Sequence, residues 1–172
     1  MSAPWFQRLL ADGLGRTAQS LPAIVDGLPV DDLLWRPYDG ANSIAWTLWH
    51  TARMEDVQIA SLAGTDEVWL REGWVERFGL PYAPGAMGYG QSAEEVAAFR
   101  LEDPKLLTGY YRAVHTATTE LVDSLSEDDL ARVVDESWDP PVTVAVRLVS
   151  IVDDAAQHIG QAAYVKGLLD LR

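Results

Sequence analysis

The chain has 172 residues and a mass of 18.9 kDa, which suits one domain over 1–172, and a hydrophobic share of 48% is enough for a packed core and excludes a disordered chain. Its 26 acidic against 13 basic residues give a formal net charge of −13, which argues against nucleic acid or an anionic membrane surface as a partner. With no cysteine, disulfides, thiolate zinc sites and cysteine nucleophiles are excluded together, so chemistry falls to His, carboxylates, Ser/Thr, Tyr or a bound cofactor.

Helix signals dominate, and no alternating run is long enough to argue for a sheet. Pro4 to about Val25 reads as a helix, with Pro4 suited to its first turn. Gly13, Gly15 and Pro22 predict a bend or an early end. Leu28 to Gly40 reads as a connection whose Leu33, Trp35 and Pro37 pack onto the helices. A second helix, capped by Asn42 or Ser43, continues to about Leu62 and stops at Gly64. Thr65 to Gln91 is irregular, yet it carries Trp69, Trp74, Phe78, Tyr82 and Tyr89 among glycines and prolines. So aromatic a stretch reads as a packed loop or lid, with its aromatics over the site. Ser92 and Glu95 have capping-box spacing and open a short helix to about Leu101. Pro104 restarts the helix, which runs to about Leu125, and Ser126 to Asp129 reads as a turn. The last helix starts near Thr143, after Pro140 and Pro141, and ends about Leu168. The fold class is all-α: a four-helix bundle with an irregular, aromatic-rich insertion between the second and third helices. The apolar runs are too short to span a bilayer, and the start lacks the regions of a signal peptide, so a cytoplasmic location is expected.

The histidines are His50, His115 and His158. His50 shares a helical face with Trp46, Met54 and Val57, so it points inward. That position also suits a core histidine satisfied by a carbonyl or carboxylate. Asp154 and His158 stand one turn apart on the last helix. His158 lies at the margin of that helix's apolar stripe; Asp154 lies further out, beside Arg147 and Gln161, where a solvated pair with His158 or Arg147 is the competing reading. Together the three offer two neutral imidazoles and one carboxylate from two helices, the donor set of a metal site with an open position. Glu55 and Asp56 fall off the face of His50 and read as capping or salt-bridge residues. His115 reads as a surface or packing histidine and is the reserve ligand. No Glu-x-x-His pair, G-x-S-x-G elbow, Walker loop or dinucleotide fingerprint occurs.

Trp35-Arg36-Pro37, Asn42-Ser43-Ile44-Ala45-Trp46 and Leu48-Trp49-His50 are similar to the N-terminal signature of the DinB/YfiT-like metalloproteins. His158-Ile159-Gly160-Gln161, followed by Tyr164-Val165-Lys166-Gly167, resembles that family's final helix, and Gly73 to Pro81 resembles the lid region of one branch. The resemblance covers nearly the whole chain. It implies a bundle that holds a divalent metal (zinc first, nickel or iron as other choices), usually through three histidines. His50 matches the first ligand position and His158 the last. Asp154 stands in the middle position, where the common pattern has His and the related mycothiol-dependent maleylpyruvate isomerases have Glu. The activity implied is that of a thiol S-transferase or isomerase with a low-molecular-weight thiol, of the mycothiol type, as co-substrate. Trp46 and Met54 would then shape the pocket, and Gln161 would support the ligands from one turn beyond His158. The expected partners are a small-molecule substrate and, as an assembly, a homodimer. Two other readings stay open: a non-catalytic metal- or small-molecule-binding stress-response bundle, and a metal-dependent hydrolase.

Overall fold

The computed structural model describes residues 3–171. Its helices are α1 (Trp5–Val25), α2 (Val30–Leu34), α3 (Ile44–Ala63), α4 (Val68–Arg71), α5 (Trp74–Phe78), α6 (Ala93–Ala97), α7 (Lys105–Ser124) and α8 (Val144–Leu168). The four long ones, α1, α3, α7 and α8, make the bundle. Both α1 and α3 pack against α7 and α8, so each pair closes one side of a common core. Among the described residues no helix is long and apolar enough to cross a membrane.

Local chemistry explains the main boundaries. Ser43 caps α3 by accepting the Trp46 amide at 3.2 Å, and Gly64, at φ +68°, ends it in the left-handed region. The Ser92–Glu95 capping box is formed in both directions and starts α6. α1 runs on to Val25 instead of stopping early. Pro22 falls in its last turn, where it forfeits one amide bond and a kink has almost no helix left to redirect, and the Pro22 carbonyl still accepts from Asp26 at 2.9 Å. Gly13 lets α1 come close to α8, since a Cβ there would stand 3.3 Å from Val152.

The insertion is packed, as expected, and holds only the short α4 and α5. Its aromatics extend the core. Trp69 meets Phe78 at 5.2 Å and Tyr110 at 5.0 Å between ring centres, and Trp74 meets Tyr110 at 5.5 Å. Asp56 fastens the insertion to α3 by accepting the Val68 and Trp69 amides, each at 2.8 Å, across the start of α4. The Arg53 side chain, fully buried, pairs with Glu67 at 2.8 Å and with Asp56 at 3.4 Å, and lies over the Trp69 ring. Asp56 is thus the capping and ion-pair residue that its place off the His50 face predicts. Glu55 is not: its partners are the hydroxyls of Thr118, at 2.7 Å, and Tyr111, at 2.9 Å.

One small sheet was not anticipated. β1 (Val133–Asp135) pairs antiparallel with β2 (Val142–Thr143), with Val133 opposite Thr143. The strands are too short for an alternating pattern to show in the sequence. Asp135 on β1 takes the Arg147 guanidinium at 3.3 Å, so Arg147 is paired away from Asp154.

Candidate functional site

α3 and α8 bring His50 and His158 together, with ring centres 4.9 Å apart and planes inclined at 47°. His50 is buried at 7% exposure, and Trp46, one turn earlier, stacks on it at 4.9 Å and 19°. The Nδ1 of His50 lies 2.5 Å from the Met87 carbonyl. A carbonyl only accepts, so Nδ1 carries the proton and Nε2 keeps its lone pair. On α8, His158 Nδ1 lies 2.9 Å from the Asp154 carbonyl, and the same reasoning frees its Nε2. Burial lowers the pKa of His50, which outweighs the bond to Met87 and favours the neutral ring. Neutral imidazoles with free Nε2 and an anchored Nδ1 are the form that binds metal ions.

Asp154 stands beside this pair, about a third exposed, with Oδ1 3.8 Å from His158 Nδ1. That is the nitrogen already facing the Asp154 carbonyl, so the carboxylate flanks the anchored side of the ring. Among the described residues, no group of three or more His, Cys, Asp and Glu side chains is arranged to hold a metal ion as it stands. The two imidazoles supply nitrogen donors of the kind a divalent ion takes, and Asp154 would have to turn to join them. His115 lies elsewhere on α7, half-buried and stacked on Tyr111 at 6.1 Å, as a packing histidine does.

The family model described as the DinB superfamily matches residues 14–162. The chain belongs to the DinB superfamily. This DinB protein is also similar to a solved structure described as the conserved protein of locus from Enterococcus faecalis. The identity is 33%, the match covers 99% of this chain and 100% of that one, and the TM-score is 0.92. It matches no curated protein.

In this DinB bundle the cover over His50 comes from the insertion, through backbone where aromatics were expected. Gly88 sits at φ +92°, and a Cβ there would fall 2.7 Å from His50 Nδ1 and 2.9 Å from the Trp46 ring. The sequence offered only one more glycine in a glycine-rich stretch, so neither Met87 nor Gly88 could be singled out. Trp46 Nε1 donates to Gln91 at 2.8 Å, which closes the cover on its far side. Of the other expected pocket residues, Met54 is half-buried one turn past His50. Gln161 is exposed and lines a cavity of about 470 Å³ with Tyr38, Asn42, Thr47 and Tyr164. Thr47 precedes His50 by three residues and Gln161 follows His158 by three, so the cavity opens one turn along from both imidazoles. Its walls come from the 37–42 connection, α3 and α8, and they carry no charged side chain.

Proposed function

We propose that this DinB-superfamily protein is a divalent-metal-dependent enzyme of the thiol S-transferase or isomerase type. The observation that supports it is the His50–His158 pair, with both Nδ1 atoms bonded to backbone carbonyls and both Nε2 atoms left free. His50, His158 and a turned Asp154 would hold the ion, with zinc the first choice on donor chemistry. When bound, the ion favours the thiolate of a thiol at its open position. The chain has no cysteine, so that thiol is external, and a low-molecular-weight one is proposed. Trp46 and the Met87–Gly88 backbone exclude water from one side of His50, and Tyr38, Asn42, Thr47, Gln161 and Tyr164 offer a neutral, hydrogen-bonding wall to the substrate.

Elemental analysis of protein purified without chelator tests the metal, and thiol-transfer assays before and after chelation test the activity. Bound metal near one per chain and activity that needs both metal and thiol are expected. Equal turnover after exhaustive chelation would refute the mechanism. Asp154→Ala should weaken metal binding in calorimetric titration, whereas Asp154→Glu and Asp154→His should keep it. The position of Asp154 on the anchored side of His158, together with the uncharged cavity one turn beyond the imidazoles, favours as second reading a non-catalytic small-molecule binder. An Asp154→Ala variant that binds metal as the parent does would remove Asp154 from the site.

A further inference from the structure

We infer that Arg53 and Gly88 are positioning residues for His50: they fasten the segment Pro84–Gln91 across α3 so that the Met87 carbonyl selects the Nδ1-protonated tautomer of His50. Four donors on α3 and α4 hold this strap. Trp69 Nε1 donates to the Pro84 carbonyl at 2.9 Å, Arg53 Nε to the Ala86 carbonyl at 3.0 Å, His50 Nδ1 to the Met87 carbonyl, and Trp46 Nε1 to the Gln91 side chain at 2.8 Å. His50 and Arg53 lie three apart on α3 and so share a face, and their partners are consecutive carbonyls. With the Ala86 carbonyl anchored, only the φ and ψ of Met87 remain between it and the carbonyl that faces His50.

Arg53 is built for such a task. Its NH groups are engaged by Asp56, Glu67 and Tyr110, so the guanidinium is immobile and Nε alone points to the strap. Its planar fork supplies that direction, which a lysine cannot reproduce. Gly88 supplies the other half. Its positive φ turns the chain back directly after Met87, and the missing Cβ leaves room for the His50 and Trp46 rings. His158 makes its Nδ1 bond within its own helix, to the Asp154 carbonyl, and does not depend on the strap. The two imidazoles thus have independent anchors, and only one of them is controlled from a distance.

The tautomer of His50 stands without any metal. Its consequence for ligation rests on the function proposed above, and the experiment separates the two. Nitrogen-15 spectra of the imidazoles are recorded on metal-free protein near pH 8, for the parent, Arg53→Lys and Gly88→Ala, with circular dichroism to confirm the helices. The parent should show both His50 and His158 with Nδ1 protonated. In both variants His50 should become a mixture of tautomers while His158 stays unchanged. Arg53→Lys keeps a cation for Asp56 and Glu67, and Gly88→Ala leaves Arg53 intact, so either variant decides the matter if the other fails to fold. Cobalt titrations of the same samples should show affinity weaker by tenfold or more in the variants, as for loss of the group that orients a histidine ligand. A parent with Nε2 of His50 protonated, or a His50 tautomer unmoved in the folded variants, would overturn the inference. A parent that takes up no cobalt but shows the expected tautomers would refute the metal reading and leave the strap's role in place.

Discussion

Glu55→Gln should make this protein more stable above neutral pH. Glu55 is 1% exposed, and burial among hydroxyl partners pushes its pKa up to about 7 from an ordinary 4.5. The folded state therefore holds a proton that the unfolded chain has already released. Unfolding sheds this proton, so the stabilisation is complete below pH 4.5, falls as pH rises through about 7, and levels off only beyond it. Between pH 5 and 8 the loss comes to about 2.5 kcal/mol, at 1.36 kcal/mol for each pH unit of displacement. Glutamine keeps the shape and removes the titration. Its oxygen accepts from Tyr111, and its amide donates to Thr118, whose own hydroxyl has the Val114 carbonyl at 3.0 Å. His50 and His115, whose pKa values burial lowers, contribute the opposite slope, but equally to both proteins, so the difference between the two isolates Glu55. Urea unfolding followed by tryptophan fluorescence at pH 5 and pH 8 measures it. The variant should gain about 2.5 kcal/mol on the parent across that range, or about 5 to 10 °C in Tm for a domain of this size. Parallel pH profiles would refute the retained proton, and a variant destabilised at every pH would refute the hydroxyl network.

Asp56→Ala strips the α4 amides of their acceptor and leaves Arg53 underpaired in the core. Chemical unfolding should show a loss of about 3–5 kcal/mol, the range for breaking a buried pair. Ser43→Ala removes the cap of α3 and should cost about 1 kcal/mol in the same assay. If the His50–His158 pair binds a divalent ion, free zinc at a hundredfold excess over Kd should raise stability by about 2.7 kcal/mol. Differential scanning calorimetry with and without chelator reads this, and an unchanged Tm would count against the site.

The bundle was readable because its signals are local. Ser43, Gly64, the Ser92–Glu95 box and the apolar faces each act within one or two turns of where they stand. Pro22 misled because its cost depends on how near the helix end lies, and that end is set by packing. The strand pair and the short α4 and α5 escaped notice for the opposite reason: they are too short to carry a period. Within the candidate site, the inward aim of His50 and the marginal place of His158 followed from their helical faces. The meeting of α3 with α8, the carbonyl of Met87 and the bare Cα of Gly88 are tertiary facts, and no spacing in the sequence encodes them. The aromatics of the insertion drew attention to the right segment but to the wrong atoms in it, since Trp69, Trp74 and Phe78 serve the core and the backbone between them and α6 covers the histidine.

Three of the four bonds that hold the strap end on main-chain oxygens, at Pro84, Ala86 and Met87. A main-chain oxygen is the same whatever side chain its residue bears, so the fastening is blind to most of the strap's own sequence. The outer wall of the strap borders a hollow of about 360 Å³ lined in part by Tyr82, Met87, Tyr89 and Glu95. Side chains facing that hollow can be exchanged in a library while the inner edge stays buckled, with Gly88 and Gln91 held fixed, the first for its bare Cα and the second for its bond to Trp46. The segment therefore separates two tasks that loops usually mix: its backbone carries the fastening to α3 and α4, and most of its side chains are left free to vary.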